Sequence, residues 1–176
     1  FISIVQTRDG YLWVGRVEGL ARFDGLRSVV FDKSNTPALA DNWIRGLAED
    51  REGRLWIGTL GGGIVCRESG RFLRFGADEG IPGEVVSALY ADRSGRLWVG
   101  TRGAGLYRFQ GGRFVRATGD EALATRTVRS LVEDGDGTLW VGTETGLFGY
   151  SAGEVRIAPA AGGLATFHAV FLLAHD

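Results

Sequence analysis

The chain has 176 residues, of which 44% are hydrophobic and 11% aromatic, so it is long enough for one domain with a substantial core. A formal net charge of −1 gives no field that favours nucleic acid as a partner, and a single cysteine, Cys66, excludes an internal disulfide. The sequence contains no apolar run that approaches the roughly 18 residues of a membrane span.

A seven-residue phrase organises the chain in four places. It reads GYLWVGR at 10–16, GRLWIGT at 53–59, GRLWVGT at 95–101 and GTLWVGT at 137–143. Its tryptophans are 43, 42 and 42 residues apart, and a glycine follows two residues after each one. The repeated positions are Trp13, Trp56, Trp98 and Trp140, followed by Gly15, Gly58, Gly100 and Gly142. An internal repeat of this length predicts one supersecondary unit per period.

Each unit shows the pattern of four short strands. In the second unit, a stretch at 43–50 (WIRGLAED), in which Ile44 and Leu47 alternate with polar neighbours, leads through the turn DREG into RLWIGT, and a glycine-rich loop leads to two further β-prone runs. The turn glycines supply the positive φ that a hairpin needs. Four antiparallel strands per roughly 42 residues are typical of a β-propeller blade, an all-β architecture.

The register of the repeats sets the predicted boundaries. We expect units at about 1–43, 44–85, 86–127 and 128–169, with the first strand of a fifth at 170–176. A closed ring of four blades would have to give 1–7 and 170–176 equivalent roles. A segment of a larger ring is the simpler interpretation.

The tryptophans are interpreted as packing between blades rather than as a sugar-stacking surface. An indole fills much of the space between two sheets, and its N–H must find an acceptor there. The glycine two residues later is expected to let a neighbouring backbone approach closely.

Three segments carry a family likeness. DREGRLWIGTLGGGI, DRSGRLWVGTRGAGL and DGDGTLWVGTETGL, each preceded by V/I-x-x-L-x-x-D, closely resemble the two-component regulator propeller repeat. The resemblance implies a periplasmic sensor propeller of a bacterial signalling protein. In that family the propeller usually has about seven blades, so the resemblance implies a segment of a ring of that size. A small β-sandwich, a membrane helix and a cytoplasmic histidine kinase or diguanylate cyclase follow the propeller. The first unit departs from the pattern at Arg16, where the others have threonine.

Little in the sequence indicates catalysis. His168 and His175 lack a third metal ligand at sensible spacing, and EDGDG at 133–137 lacks the later ligands of a calcium loop. The glycine-rich loops precede strands rather than the helix that a phosphate cradle needs. We therefore expect no catalytic residue, no metal and no cofactor.

Binding is expected on the variable loops that join the second and third strands, or one blade to the next. The ligand-binding candidates are Arg16, Asn42, Trp43, Arg102, Arg126 and Glu144. Trp43 is either an exposed platform for a sugar or peptide, or buried under the blade-joining loop. Arg102 and Arg126 either clamp a carboxylate or sulfate or are plain solvated charges.

The predicted function is a non-catalytic sensor segment that relays a periplasmic signal. The expected partners are a small molecule, glycan or peptide, further blades of the same parent chain, and a second copy in a homodimer. One alternative is a stand-alone propeller that acts as a protein-interaction scaffold. Another is a streptogramin-lyase-like enzyme, which requires a histidine and a glutamate that meet on one face.

Overall fold

The computed structural model describes residues 3–81, 85–117 and 121–157, and within them the chain forms four antiparallel sheets of four strands each. We call these sheets blades 1 to 4. Blade 1 contains β1 (Ser3–Gln6), β2 (Leu12–Arg16), β3 (Gly19–Phe23) and β4 (Ser28–Phe31). Blade 2 contains β5 (Ile44–Glu49), β6 (Leu55–Thr59), β7 (Ile64–Glu68) and β8 (Arg71–Phe75). Blade 3 contains β9 (Val86–Ala91), β10 (Leu97–Thr101), β11 (Leu106–Gln110) and β12 (Arg113–Arg116). Blade 4 contains β13 (Val128–Glu133), β14 (Leu139–Thr143), β15 (Gly146–Ser151) and β16 (Glu154–Ile157).

The strands of each blade follow one another in chain order across the sheet. The first strands of neighbouring blades contact each other, β1 with β5, β5 with β9 and β9 with β13. They therefore form the inner layer around which the blades are arranged. The prediction of four propeller blades is confirmed, and the expected fifth strand at 170–176 lies outside the described residues.

Within the described ranges, one feature of helical type interrupts the strands. Residues Ala77–Glu79 form a single 3-10 turn in the connection between blades 2 and 3. The backbone N–H of Gly76 donates to the Glu79 carboxylate over 2.7 Å, which closes the start of this turn. The described part of the chain contains no helix long and apolar enough to cross a membrane.

A β-bulge explains the apolar spacing of the first strands. Ile44 and Leu47 are three residues apart, a spacing that would place them on opposite faces of a regular strand. The register between β5 and β6 shifts between Ile44 and Gly46, so both side chains are buried against blade 1. The same irregularity follows Val128 in β13.

The cores lie between the blades, as the sequence predicted for the repeated tryptophans. Trp13, Trp56 and Trp98 are at most 1% exposed. Trp56 packs against Phe109 of the next blade with ring centroids 4.7 Å apart, and Trp98 packs against Tyr150 of the next blade at 5.1 Å. Each blade thus presents its tryptophan to the blade that follows.

Each of the four repeated indoles has an acceptor six residues earlier in the chain. Nε1 of Trp56, Trp98 and Trp140 donates to Asp50, Asp92 and Asp134 over 2.7, 2.8 and 2.7 Å. In blade 1 the hydroxyl of Thr7 takes this role for Trp13 at 3.1 Å. The aspartates begin the turn between the first and second strands, so the turn and the packing tryptophan hold each other in place.

The Asp92 carboxylate shows how many donors converge at this position. It accepts from the Trp98 indole, the Ser94 hydroxyl, and both the backbone N–H and the Nε of Arg96. Burial alone would raise the pKa of Asp92, but these hydrogen bonds outweigh burial and lower the pKa below its ordinary value. The carboxylate is therefore held ionised inside the blade interface.

A series of arginines connects the turns of successive blades. Arg8 donates to the backbone carbonyl of Arg51 over 2.7 Å, and Arg51 donates to that of Arg93 over 3.0 Å. Arg93 in turn reaches the carbonyl of Gly135 at 3.4 Å. Since these arginines occupy equivalent repeat positions, the same bond recurs from one blade to the next.

The glycine after each tryptophan is required by a close contact. A Cβ on Gly15, Gly58 or Gly100 would lie 2.5–2.6 Å from a methyl group of Ile44, Val86 or Val128, the first residue of the next blade. The sequence predicted a close approach of backbone at this point. The structure corrects that expectation, because the approaching group is chiefly a β-branched side chain.

Asp92→Ala is expected to lower the free energy of unfolding at pH 7 by about 1–3 kcal/mol, because the buried Trp98 N–H loses its acceptor. The folded-state pKa of Asp92 is lowered, so its stabilisation is present above the ordinary carboxyl pKa of about 4 and is lost as pH falls through the folded-state pKa. Urea unfolding of the unsubstituted chain and of Asp92→Ala, at pH values from 7 to about 3, measures the difference in their free energies of unfolding.

Asp136→Ala, at an exposed position of the next blade's turn, is the control and should leave the urea midpoint unchanged. A difference between Asp92→Ala and the unsubstituted chain that stays constant down to pH 3 would contradict the role of the charge.

Gly100→Ala is expected to destabilise the chain by about 1–3 kcal/mol, because the added methyl overlaps Val128 and forces blades 3 and 4 apart. Gly135→Ala is the matched control, since a Cβ there would meet nothing within 4 Å. Thermal unfolding of both variants compares them. Equal midpoints would show that the blade interface relaxes around the methyl group.

Candidate functional site

The sequence places its binding candidates on one face of the blades, which we call the loop face. It consists of the loops between second and third strands, at 17–18, 60–63, 102–105 and 144–145, and the described residues of the connections between blades, at 32–43, 76–81 with 85, and 117 with 121–127. We call the opposite face the turn face. It carries the turns between first and second strands and those between third and fourth strands.

Threonines at the ends of the second strands brace the loop face from inside. The hydroxyls of Thr59, Thr101 and Thr143 donate to the carbonyls of Gly63, Gly105 and Gly146 over 2.8–2.9 Å. In blade 1 this position is Arg16, whose exposed guanidinium pairs with Glu18 at 3.3 Å. The first loop therefore lacks the internal brace, and its charges face solvent.

The connection between blades 1 and 2 holds Asn42 and Trp43 by local bonds. The side-chain Oδ1 of Asn42 accepts from the Lys33 backbone N–H over 2.8 Å, and the Asp41 carboxylate accepts from the Trp43 backbone N–H over 3.1 Å. The Trp43 carbonyl accepts from Leu60, in the adjoining loop of blade 2. The side chain of Trp43 remains 37% exposed, so its backbone is fixed while part of its ring meets solvent.

Arg126 and Glu144 both form hydrogen bonds to the backbone of the connection between blades 3 and 4. The Nε of Arg126 donates to the Ala122 carbonyl over 3.1 Å, and its guanidinium lies 5.8 Å from the Phe148 ring centroid. Glu144 accepts from the Thr127 N–H over 2.8 Å. Both side chains therefore hold the connection in place.

Arg102 lies across the adjoining loop. Its N–H donates to the Val85 carbonyl over 3.2 Å, and its side chain is exposed. The Gly105 N–H donates to the Arg126 carbonyl, so the two loops that carry the predicted arginine clamp are neighbours. Of the two guanidiniums, that of Arg126 is already engaged. All six candidates remain predictions, and Arg16, Trp43 and Arg102 are the three whose side chains are exposed.

No group of three histidine, cysteine or acidic side chains in the described ranges is placed to hold a metal ion. His168 and His175 lie outside those ranges. The stretch 133–137 is a hairpin turn in which Asp134 accepts from Asp136, Thr138 and Trp140. These hydrogen bonds lower the pKa of Asp134, that from Trp140 most of all, and they occupy its oxygens with protein donors.

Cys66, on β7, is a buried free thiol. Burial raises its pKa to about 12, although the Arg54 guanidinium opposes the shift. The thiol is therefore neutral at physiological pH and has little nucleophilic character.

The turn face contains a cavity of about 310 Å³ between blades 3 and 4. It opens beside the turn from Asp92 to Arg96 and beneath the turn at 151–153. Its lining includes Arg96, Trp98, Arg108, Glu133, Leu139 and Tyr150. Sequence reasoning placed binding on the opposite face and did not identify Arg108 or Glu133.

The comparisons with known proteins bear on the repeats. The family model described as two component regulator propeller matches residues 38–61, 80–103 and 122–145. Each match covers the end of a connection and the first two strands of blade 2, 3 or 4. Blade 1, which has Arg16 in place of threonine, is not matched. The chain matches no curated protein.

Among solved structures, the chain is similar to the extracellular domain of BT3049 from B. thetaiotaomicron, which is assigned to the hybrid two component systems. The identity is 28% over 85% of this chain and 21% of that one, with a TM-score of 0.74. The extracellular domain of BT4673 from the same organism also has a TM-score of 0.74, with 22% identity over 93% of this chain and 23% of that one.

The virginiamycin B lyase of Staphylococcus aureus has a TM-score of 0.64 at 13% identity, over 88% of this chain and 54% of that one, a likeness of fold alone. The chain spans about a fifth of the length of the two B. thetaiotaomicron domains. The periodic tryptophans, the blade geometry and the family match agree. The chain is a β-propeller segment, and three of its four described blades contain matches to the two component regulator propeller repeat.

Proposed function

We propose that the chain is part of the extracytoplasmic sensor propeller of a membrane-bound bacterial signalling protein. The observation that carries the proposal is the match of three repeats to the two component regulator propeller, together with 28% identity to an extracellular domain assigned to a hybrid two component system. The parent protein then relays the signal to a cytoplasmic histidine kinase or diguanylate cyclase.

In this proposal the loop face recognises a small molecule, glycan or peptide. Trp43 supplies an aromatic surface and Arg102 a cation, both on loops whose backbones are fixed by the hydrogen bonds described above. Binding changes how two copies of the propeller pack in a dimer, and this requires different affinities for the two packings. The chain itself performs no catalysis.

Further blades of the parent chain are the second part of the proposal. In blade 1, Ile4, Val14, Ala21 and Val30 are cross-strand partners on one face. The equivalent row of blade 2 includes Leu47 and Ile57, whose side chains are 8% and 0% exposed because blade 1 covers them. Ile4 and Val30 are 61% and 44% exposed, so this face lacks the cover that a preceding blade provides.

The alternative is a stand-alone interaction scaffold. The sensor proposal, unlike this alternative, requires that the propeller lie outside the cytoplasm. A cysteine at Glu18, whose side chain is 82% exposed, should react with a membrane-impermeant maleimide in intact spheroplasts that express the parent protein. Cys66 is buried and serves as the internal control, because it should react only after denaturation. Labelling of Glu18→Cys that requires lysis of the cells would place the propeller in the cytoplasm and overturn the sensor proposal.

The uncovered face predicts self-association of the isolated chain. Ile4→Glu with Val30→Glu should shift the chain towards monomer in sedimentation velocity, because charges disfavour apolar contact between two copies. Leu73→Glu is the matched control, since Leu73 is also exposed, at 50%, but lies on the outer strand of blade 2. A chain that is monomeric without any substitution would contradict the need for a covering blade.

A further inference from the structure

The cavity between blades 3 and 4 differs from the equivalent space between blades 2 and 3 at a few positions. The strand registers align Arg108 with Cys66, since each is the partner of its blade's tryptophan. By the same repeat, Glu133 corresponds to Ala91 and Tyr150 to Phe109. One blade interface therefore has two charged groups and a phenol where the neighbouring interface has small or apolar groups.

These differences change how closed the space is. In the interface of blades 2 and 3, Arg54 lies over both Trp56 and Phe109, at 5.3 and 5.4 Å, and its side chain is 24% exposed. In the interface of blades 3 and 4, Arg96 lies 5.6 Å from the Trp98 ring and its side chain is 51% exposed. The second interface is thus open at the rim and leads to a cavity large enough for a small ligand.

Arg108 gives the cavity an unsatisfied donor. Its Nε is buried and has no hydrogen-bond partner in the part of the chain that the structure describes. A buried donor left without an acceptor is destabilising, more so on a charged group. The equivalent Arg22 of blade 1 is placed differently, with its guanidinium over the rings of Tyr11 and Trp13 at 4.4 and 5.8 Å. Arg108, unlike Arg22, therefore has a buried donor that a bound ligand would satisfy.

The carboxylates in the lining define what else the ligand carries. Asp92 already accepts four hydrogen bonds from the protein. Glu133 is 7% exposed, and its Oε2 accepts from the Arg93 N–H over 2.7 Å, so Oε1 is available to accept from a hydroxyl. A second carboxylate on the ligand would approach both acidic side chains and be repelled.

We propose that this cavity binds a small hydroxy monocarboxylate. The ligand's carboxylate accepts from the Arg108 guanidinium, its hydroxyl donates to Glu133, and its carbon skeleton packs beside Leu139 and Tyr150. The site lies on the turn face, so it is independent of loop-face recognition and of any signalling output. It holds whether the parent protein is a sensor or a scaffold.

The test is isothermal titration of the chain with mandelate, with the neutral mandelamide and with the dicarboxylate malate. Mandelate should bind saturably, and mandelamide should bind at least about tenfold more weakly because it offers no charge to Arg108. Malate should also bind more weakly, because its second carboxylate meets Asp92 and Glu133. Equal affinities for the acid and its amide, or no saturable binding of mandelate, would overturn the proposal.

Two substitutions separate recognition from folding. Arg108→Gln should reduce mandelate affinity at least about tenfold while the urea midpoint is unchanged or rises, because the buried Nε donor that lacks a partner is removed. Glu133→Gln keeps an acceptor for the Arg93 N–H and should narrow the preference for mandelate over malate. Arg71→Gln, at an exposed position of blade 2, is the control. Equal losses in Arg71→Gln and Arg108→Gln would mean a nonspecific charge effect and would refute the site.

Discussion

The hydrogen bond from a buried indole to the aspartate at the start of the preceding turn is the constraint on which this structure depends. A tryptophan fills the space between two blades, and its N–H lies where water has no access. The acceptor must therefore come from the protein, and a carboxylate that also receives backbone and side-chain donors of the turn supplies it. Because the same group ends one strand, shapes the turn and fixes the packing residue of the next strand, strand pairing and blade packing form together.

This constraint gives the array a direction. Each blade covers the following blade with its tryptophan face and receives the preceding blade on its aliphatic face, where Ile57 and Val65 lie fully buried. The contact between blades is head-to-tail, so every added blade presents a new face for the next one. An array of this kind ends only when the blades close into a ring or when another element caps the terminal blade. Trp140, at the last described blade, is only half-buried, in contrast to the three earlier tryptophans. The arginine bonds between turns follow the same direction, from Arg8 to Arg51 to Arg93.

The sequence predicted the blade architecture because period and residue type were both visible in it. Four tryptophans at nearly constant spacing, each followed by glycine, determine the strand that packs between blades. The aspartates of the V/I-x-x-L-x-x-D pattern were visible too, but their role as indole acceptors depends on a fold that brings together residues six apart across a turn. The bulge after Ile44 was hidden, because a spacing of three residues contradicts simple alternation until the register shift is seen. The loop-face candidates were chosen for their variability, and the structure shows that Asn42, Arg126 and Glu144 form hydrogen bonds to backbone groups of the connections between blades.

Repetition within one chain also provides an internal standard for function. Positions that packing between blades requires carry the same residue in each blade, as do Gly58 against Val86 and Gly100 against Val128. A residue that departs from the repeat is therefore not required by this packing. Cys66 shows that a small neutral side chain suffices opposite the packing tryptophan, so packing alone does not require an arginine at position 108. Arg22 shows that an arginine at this position can be accommodated over aromatic rings. Arg108 has neither explanation, since its Nε is buried without a partner among the described residues. A charge that the scaffold does not need, beside the cavity between blades 3 and 4, indicates a role outside folding.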